Sequence, residues 1–266
     1  MGGLLIVSVL VALFAGSHVW LASPRLRARL VERLGERGFF VVFSLVAAVL
    51  WSLLIHQFAI DRLGGPPGLG LGSTPYLRWP LMVLATGGLT LAGAGIAAYP
   101  RLPSALFDQP IRMPYGIERV SRHPFFAGFT VFALAHVLLV THLVSTVFFA
   151  GLALLALIGA RFQDRKLAQR RGVAYTAYLD RTSFWPFASQ LRGEPLVARE
   201  LPWYALAGSL LVALWFRQVH ASLFAHGGAW VILALLGGAV VASLNAWRRA
   251  RRHRARAVDA PLARVS

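Results

Sequence analysis

FFAGFTVFALAHVLLVTHLVSTVFFAGLALLALIGA, residues 125–160, runs without one Asp, Glu, Lys or Arg. It is long enough for two short membrane-crossing helices, 125–140 and 143–160. The few residues around Thr141 and His142 that join them dictate a tight helical hairpin. Lipid offers the backbone no hydrogen-bond partner, so a segment this apolar must be helical or belong to a closed barrel. The run lacks the alternating polar positions of a barrel strand. The composition agrees: 57% of the 266 residues are hydrophobic, 14% are charged, and the mean hydropathy is +0.63. The expected fold class is all-α, a polytopic transmembrane helical bundle.

Further apolar runs lie on both sides, at 4–21, 39–60, 79–99, 203–219 and 229–247, which gives seven spans. The basic residues test that count. Arg25, Arg27, Arg29, Arg33 and Arg37 fill the first loop. Arg101, Arg112, Arg119 and Arg122 lie in the third, the fifth is rich in Arg from Arg161 to Arg199, and Arg248 to Arg256 crowd the tail. Loops two, four and six hold only Arg62 and Arg78. Basic loops mark the cytoplasmic side, so seven spans put every rich loop inside, the N-terminus outside and the tail in the cytoplasm. The expected setting is the inner cell membrane, with residues 1–248 as one transmembrane domain and 249–266 as a basic, disordered tail. A net charge of +17 and a pI near 11.7 are then anchoring charge, which argues against a nucleic-acid partner.

No Lys or Arg precedes the run 4–20, which is long for the core of a cleaved signal, so it is expected to be the first span. The stretch 64–75 (GGPPGLGLGSTP) is a Gly/Pro connector. Residues 164–178 have the pattern of an amphipathic interfacial helix, with Lys166, Arg170 and Arg171 outward and Leu167 and Tyr178 inward.

Ionisable groups inside spans are costly and therefore informative. His18, His56 and His136 lie within apolar runs. His136, twelve residues beyond Pro124, sits about 18 Å into the bilayer, where a neutral imidazole needs a partner or a metal. The chain has no Cys, which excludes thiolate ligands and thiol nucleophiles, and no span carries a cluster of acids. Two intramembrane histidines on different helices make haem b the leading cofactor on chemical grounds. A second constellation gathers on the cytoplasmic side: Arg122-His123-Pro124, Asp164-Arg165, Gly172-x-x-Tyr175-x-x-Tyr178 and Arg181-Thr182-Ser183. Arg122 and His123 crown a helix N-terminus, and Asp164 can pair with Arg122 or Arg165 in a network that fixes the hairpin. No P-loop, Ser-His-Asp order or paired intramembrane carboxylates indicates nucleotide use, hydrolysis or proton pumping.

GIERVSRHPFFAGFTVFALAH (116–136), DRKL (164–167) and RTSFWPF (181–187), together with GSHVWLASPRLRARLVERLGERGFFVVFSL (16–45) and a His at 220, resemble the NnrU family of membrane proteins. That family includes the 15-cis-zeta-carotene isomerases and a branch linked to denitrification. In the isomerase branch the resemblance implies haem b held by two histidines, which fall here on His18 and His136, with His56 a rival for the second place. It also implies an apolar polyene substrate inside the lipid bilayer. The isomerases carry a Cys three residues before the second His, whereas this chain has Ala133. RHP followed by an acid in the next cytoplasmic segment is also similar to the isoprenylcysteine type of membrane methyltransferase, which would use S-adenosylmethionine. A third reading is a non-enzymatic assembly or sensor factor for respiratory reductases. Arg122, His123, Asp164, Arg165 and Arg181 form the cytoplasmic-face network on any of these readings.

Overall fold

The structure is a computed structural model that describes residues 2–98, 113–238 and 240. Its described part is helical, and the only β pairing among those residues is an isolated bridge between Pro67 and His142. The helices are α1 (Gly2–Leu21), α2 (Pro24–Asp61), α3 (Pro75–Ala98), α4 (Pro124–Leu139), α5 (Leu143–Arg171), α6 (Val173–Asp180), α7 (Trp203–Gln218) and α8 (Ala225–Gly238), the last opening with a 3-10 turn. Among the described residues, four helices are long and apolar enough to cross a membrane: α1, α2, α3 and α5. Helices α4 and α8 are shorter apolar helices. Large apolar side chains such as Leu5, Leu45, Val83, Leu154 and Leu211 stand exposed on the outer surface, where water would penalise them and lipid would not.

The hairpin expected around Thr141 and His142 is present: α4 ends at Leu139 and α5 begins at Leu143. The Gly/Pro connector folds onto this turn. Gly68 and Gly70 donate their N–H groups to the carbonyls of Thr141 and Val140, and Leu143 donates to Pro66. A Cβ on Gly68 would lie 2.8 Å from Thr146 Oγ1 and 3.0 Å from the Val140 carbonyl, so the approach needs glycine. Helices α3 and α4 meet backbone to backbone. A Cβ on Gly128 would fall 2.5 Å from both the Ala92 nitrogen and the Gly88 oxygen. Small residues at such a seam let dispersion hold helices together where lipid removes the hydrophobic drive. Helix α1 packs on α2 and α5, and the buried centre is formed by Val7, Leu54, Ile55, Phe58, Ala133, Val144, Phe148, Phe149 and Leu152.

Two expectations are corrected. The arginine-rich first loop is mostly helix: α2 starts at Pro24, with proline at its first turn, and is broken only at Gly35 (φ 69°). Its Arg, Leu, Ala and Glu residues are strong helix formers, and Arg27 pairs with Glu36 at 2.7 Å beside the break. Nor is 164–178 one interfacial helix. Helix α5 runs on to Arg171, Gly172 (φ 52°) turns the chain, and α6 begins at Val173. The predicted ends at Tyr99 and Trp247, Arg101 and Arg112 of the third loop, and the basic tail lie outside the described residues.

Candidate functional site

The polar end of the hairpin is built around Asp164, one turn beyond the apolar part of α5. Arg122 donates to it from Nε (3.1 Å) and Nη2 (2.9 Å), His123 from Nε2 (2.6 Å), and the Tyr175 hydroxyl from α6 (2.5 Å). Side chains here are largely covered: Arg122 and Asp164 are 18% exposed and His123 7%. Burial alone would raise the Asp164 pKa. The bonds from His123, Arg122 and Tyr175 outweigh it and hold the carboxyl well below the usual carboxylate range. Segment 182–192 seals the cluster. Arg122 N–H donates to the Ser183 carbonyl, Ser121 Oγ to that of Phe184, Phe187 N–H to that of Val120, and Arg192 Nη2 to that of Thr182. Nearby, Arg119 binds Glu200 at 2.8 Å, which together with the Gly116 N–H keeps the Glu200 carboxyl below its ordinary value. Arg165 and Arg181 are exposed and take no part in the Asp164 bonds. Both Asp164 oxygens are engaged by cationic or hydroxyl donors, an arrangement that clamps α4, α5 and α6 together.

The histidines occupy different levels. His136 donates from Nδ1–H to the Phe132 carbonyl (2.9 Å), because a carbonyl oxygen only accepts. Its Nε2 has no hydrogen-bond partner among the described residues. Phe132 and Phe149 lie at ring-centroid distances of 4.3 and 4.5 Å, and His220 at 6.4 Å with its plane turned by 21°. His220 follows α7. Burial first, then the charges of Arg217 and Arg62, push its pKa below the ordinary value. His18 repeats the same local motif, Nδ1 to the Phe14 carbonyl at 2.8 Å, and its ring meets Phe14 and Phe43. Beside that cluster the buried Trp51 Nε1 has no acceptor among the described residues. His56 is exposed on α2, against Gly227.

Packing fixes the relative depth of His18 and His136. Val11 of α1 abuts Gly151 of α5, close to Phe149, on which His136 stacks. His18 is seven residues further along α1, so the two imidazoles are separated by about 10 Å along the bundle axis. His136 lies in ring contact with His220, while the His18 ring meets Phe14 and Phe43.

The family described as NnrU protein matches residues 5–227. The chain belongs to the NnrU family. This NnrU protein is 30% identical over 220 residues to the chloroplastic 15-cis-zeta-carotene isomerase of Arabidopsis thaliana, covering 79% of this chain and 58% of the isomerase. With the Zea mays enzyme of the same name it shares 27% identity over 200 residues, covering 73% of this chain and 53% of that one. The chain thus spans a little over half the length of these curated relatives. No solved structure matches it.

Within the NnrU chain, sequence reasoning placed Asp164 with Arg122 and His123 but not Tyr175 in the same cluster. Tyr175 lies in the Gly172-x-x-Tyr175-x-x-Tyr178 motif that was singled out, and its role depends on the Gly172 turn that folds α6 back. His220 lies in the turn that follows α7, and α7 packs against α3, which in turn packs against α4. No group of three or more His, Cys, Asp or Glu residues that could hold a metal ion occurs among the described residues. Ala133 is fully buried in the central cluster.

Proposed function

We propose that this NnrU protein is a multi-pass membrane protein of seven spans, N-terminus outside and tail cytoplasmic, in the inner cell membrane. On this reading it binds haem b through His136 and isomerises a cis double bond of a long apolar polyene of the carotenoid type. The observation that carries the reading is the state of His136: Nδ1 is tied to a backbone carbonyl, Nε2 is left without a partner, and the surroundings are aromatic. A metal-binding imidazole is ordinarily oriented this way, by donating its other N–H to a carbonyl. The likeness to proteins named as 15-cis-zeta-carotene isomerases supplies the reaction class.

The residues present fit the group. Neutral imidazole suits haem iron, and Phe132 and Phe149 offer the apolar faces a porphyrin packs against. Haem iron, when bound, supplies a centre that can draw electron density from a conjugated double bond and so ease rotation about it. The protein's part is orientation and exclusion of water: the Phe132 carbonyl fixes the His136 tautomer, and the seam at Gly88 and Gly128 holds α4 rigidly against α3. Cis–trans isomerisation leaves the molecular formula unchanged, so no co-substrate is required. An apolar substrate would arrive from lipid, between helices whose outer faces are already hydrocarbon. His18, which the family resemblance names as second ligand, keeps its Nε2 free but lies at another depth.

The test is expression in cells that accumulate 15-cis-zeta-carotene, kept dark to exclude photoisomerisation. The isomer should fall with the natural chain and persist with His136→Ala. An unchanged isomer ratio with inserted, haem-loaded protein would reject the isomerase reading.

A further inference from the structure

Basic residues are sparse at the end of the bundle that carries the α4–α5 turn, yet two of them converge there on one side chain. Arg78, in the first turn of α3, lies over the Trp79 indole at 5.7 Å. Arg217, in the last turn of α7, lies over the same indole at 5.7 Å. Both side chains are exposed, and the ion pairs among the described residues involve neither. Arg217 gives one donor to the Met82 sulfur at 3.4 Å, which is a weak acceptor. Asp61, the described acid at this end, receives Gln57 Nε2 at 2.5 Å and packs against Gly3. Two guanidinium charges gathered at one ring repel each other, and the protein supplies no anion between them.

The setting is that of lipid headgroups. Helix α3 is apolar and long enough to span, so its first turn lies at one membrane surface. The connector before it bonds through Gly70 to the Val140 carbonyl, which places that surface at the α4–α5 turn. Trp79 is 56% exposed, and Tyr76 and Trp215, on the same turns of α3 and α7, are exposed as well. Rings with an apolar body and a polar edge collect where hydrocarbon meets water.

We propose that Arg78, Trp79 and Arg217 form a binding site for the headgroup of an anionic phospholipid in the leaflet that borders the α4–α5 turn. The guanidinium groups donate to the phosphate oxygens, for which their planar fork is suited, and the indole packs beside the glycerol. A zwitterionic lipid carries its own cation and leaves the two arginine charges uncompensated, so the site selects net negative charge. Because the arginines come from α3 and α7, the bound lipid ties these helices together. The site shares no residue with the haem reading.

The experiment uses the full-length protein in bilayers of phosphatidylcholine that contain a variable fraction of brominated phosphatidylglycerol or brominated phosphatidylcholine. Bromine quenches indole emission on contact, and the difference between the natural chain and Trp79→Phe isolates Trp79 among the eight tryptophans. Half-maximal quenching of Trp79 should need about tenfold less phosphatidylglycerol than phosphatidylcholine, the usual effect of one charge-assisted hydrogen bond. Arg78→Gln and Arg217→Gln should each erase that preference, while quenching by brominated phosphatidylcholine shows that the variants are inserted. Arg165→Gln, which removes an exposed arginine at the opposite end, should leave the preference unchanged. Equal quenching by the two lipids in the natural chain, or a preference that survives both substitutions, would overturn the site. Displacement by inorganic phosphate, but not by chloride at the same ionic strength, would assign the arginines to the free anion and overturn the lipid.

Discussion

Replacement of Asp164 by Asn removes one charge and almost no volume, and the geometry sets what that costs. An exposed ion pair contributes about 0–1 kcal/mol, whereas stranding one partner of a buried pair costs about 3–5 kcal/mol. Arg122 and Asp164 are each 18% exposed, and the carboxylate also receives His123 and Tyr175. Asp164→Asn keeps one acceptor oxygen but leaves the covered Arg122 guanidinium without its counter-charge, so the loss should be about 3 kcal/mol. In a chain of this size that lowers the midpoint of thermal unfolding by about 6–12 °C, read by circular dichroism in detergent. Tyr175→Phe alone should cost about 1.5 kcal/mol, and the double variant should show coupling of at least about 0.5 kcal/mol. The pH dependence has a definite sign. The folded carboxyl titrates below its unfolded value near 3.9, so its stabilisation is complete above about pH 4 and is lost as acid carries the pH through the lower folded value. An Asp164→Asn protein that melts within a degree of wild type at neutral pH, or a cycle without coupling, would refute a clamp centred on this residue.

Three further outcomes follow from the packing. Gly128→Leu should destabilise the bundle by about 3 kcal/mol or more, because its Cβ meets the backbone of Gly88 and Ala92 rather than a movable side chain; the check is the folded fraction on size-exclusion chromatography in detergent. Glu200→Gln should loosen the 3-10 turn Gly116–Arg119, with faster hydrogen exchange at the Gly116 amide and no global unfolding. Because the natural chain lacks cysteine, single-cysteine labelling reads the topology directly. Ser73→Cys should react with a membrane-impermeant maleimide in intact cells and Arg181→Cys only after permeabilisation, and the reverse pattern would invert the orientation.

Much of the bundle was legible because lipid imposes a simple rule. Apolar runs must become helices: those expected at 4–21 and 143–160 lie within α1 and α5, and the one expected at 203–219 matches α7 to within one residue at its end. Boundaries failed where polar residues are also good helix formers. The arginine-rich stretch after Pro24 carries no apolar stripe of spanning length, yet it continues as helix until Gly35 takes a left-handed conformation. The union of Arg122, His123 and Asp164 was legible from their shared end of the hairpin. Tyr175 enters only through the turn at Gly172, and periodicity does not report how a helix folds back. His220 was the hardest to place. A histidine in a connecting turn has no fixed face or depth, and its approach to His136 is a tertiary fact.

The account turns on whether His136 carries haem, and a haem assay of the purified, full-length protein from haem-replete cells tests that most directly. It predicts an equimolar haem content and an intense Soret absorption, both lost in His136→Ala while the variant still inserts and folds. A colourless natural protein, or haem retained undiminished by His136→Ala, would contradict it.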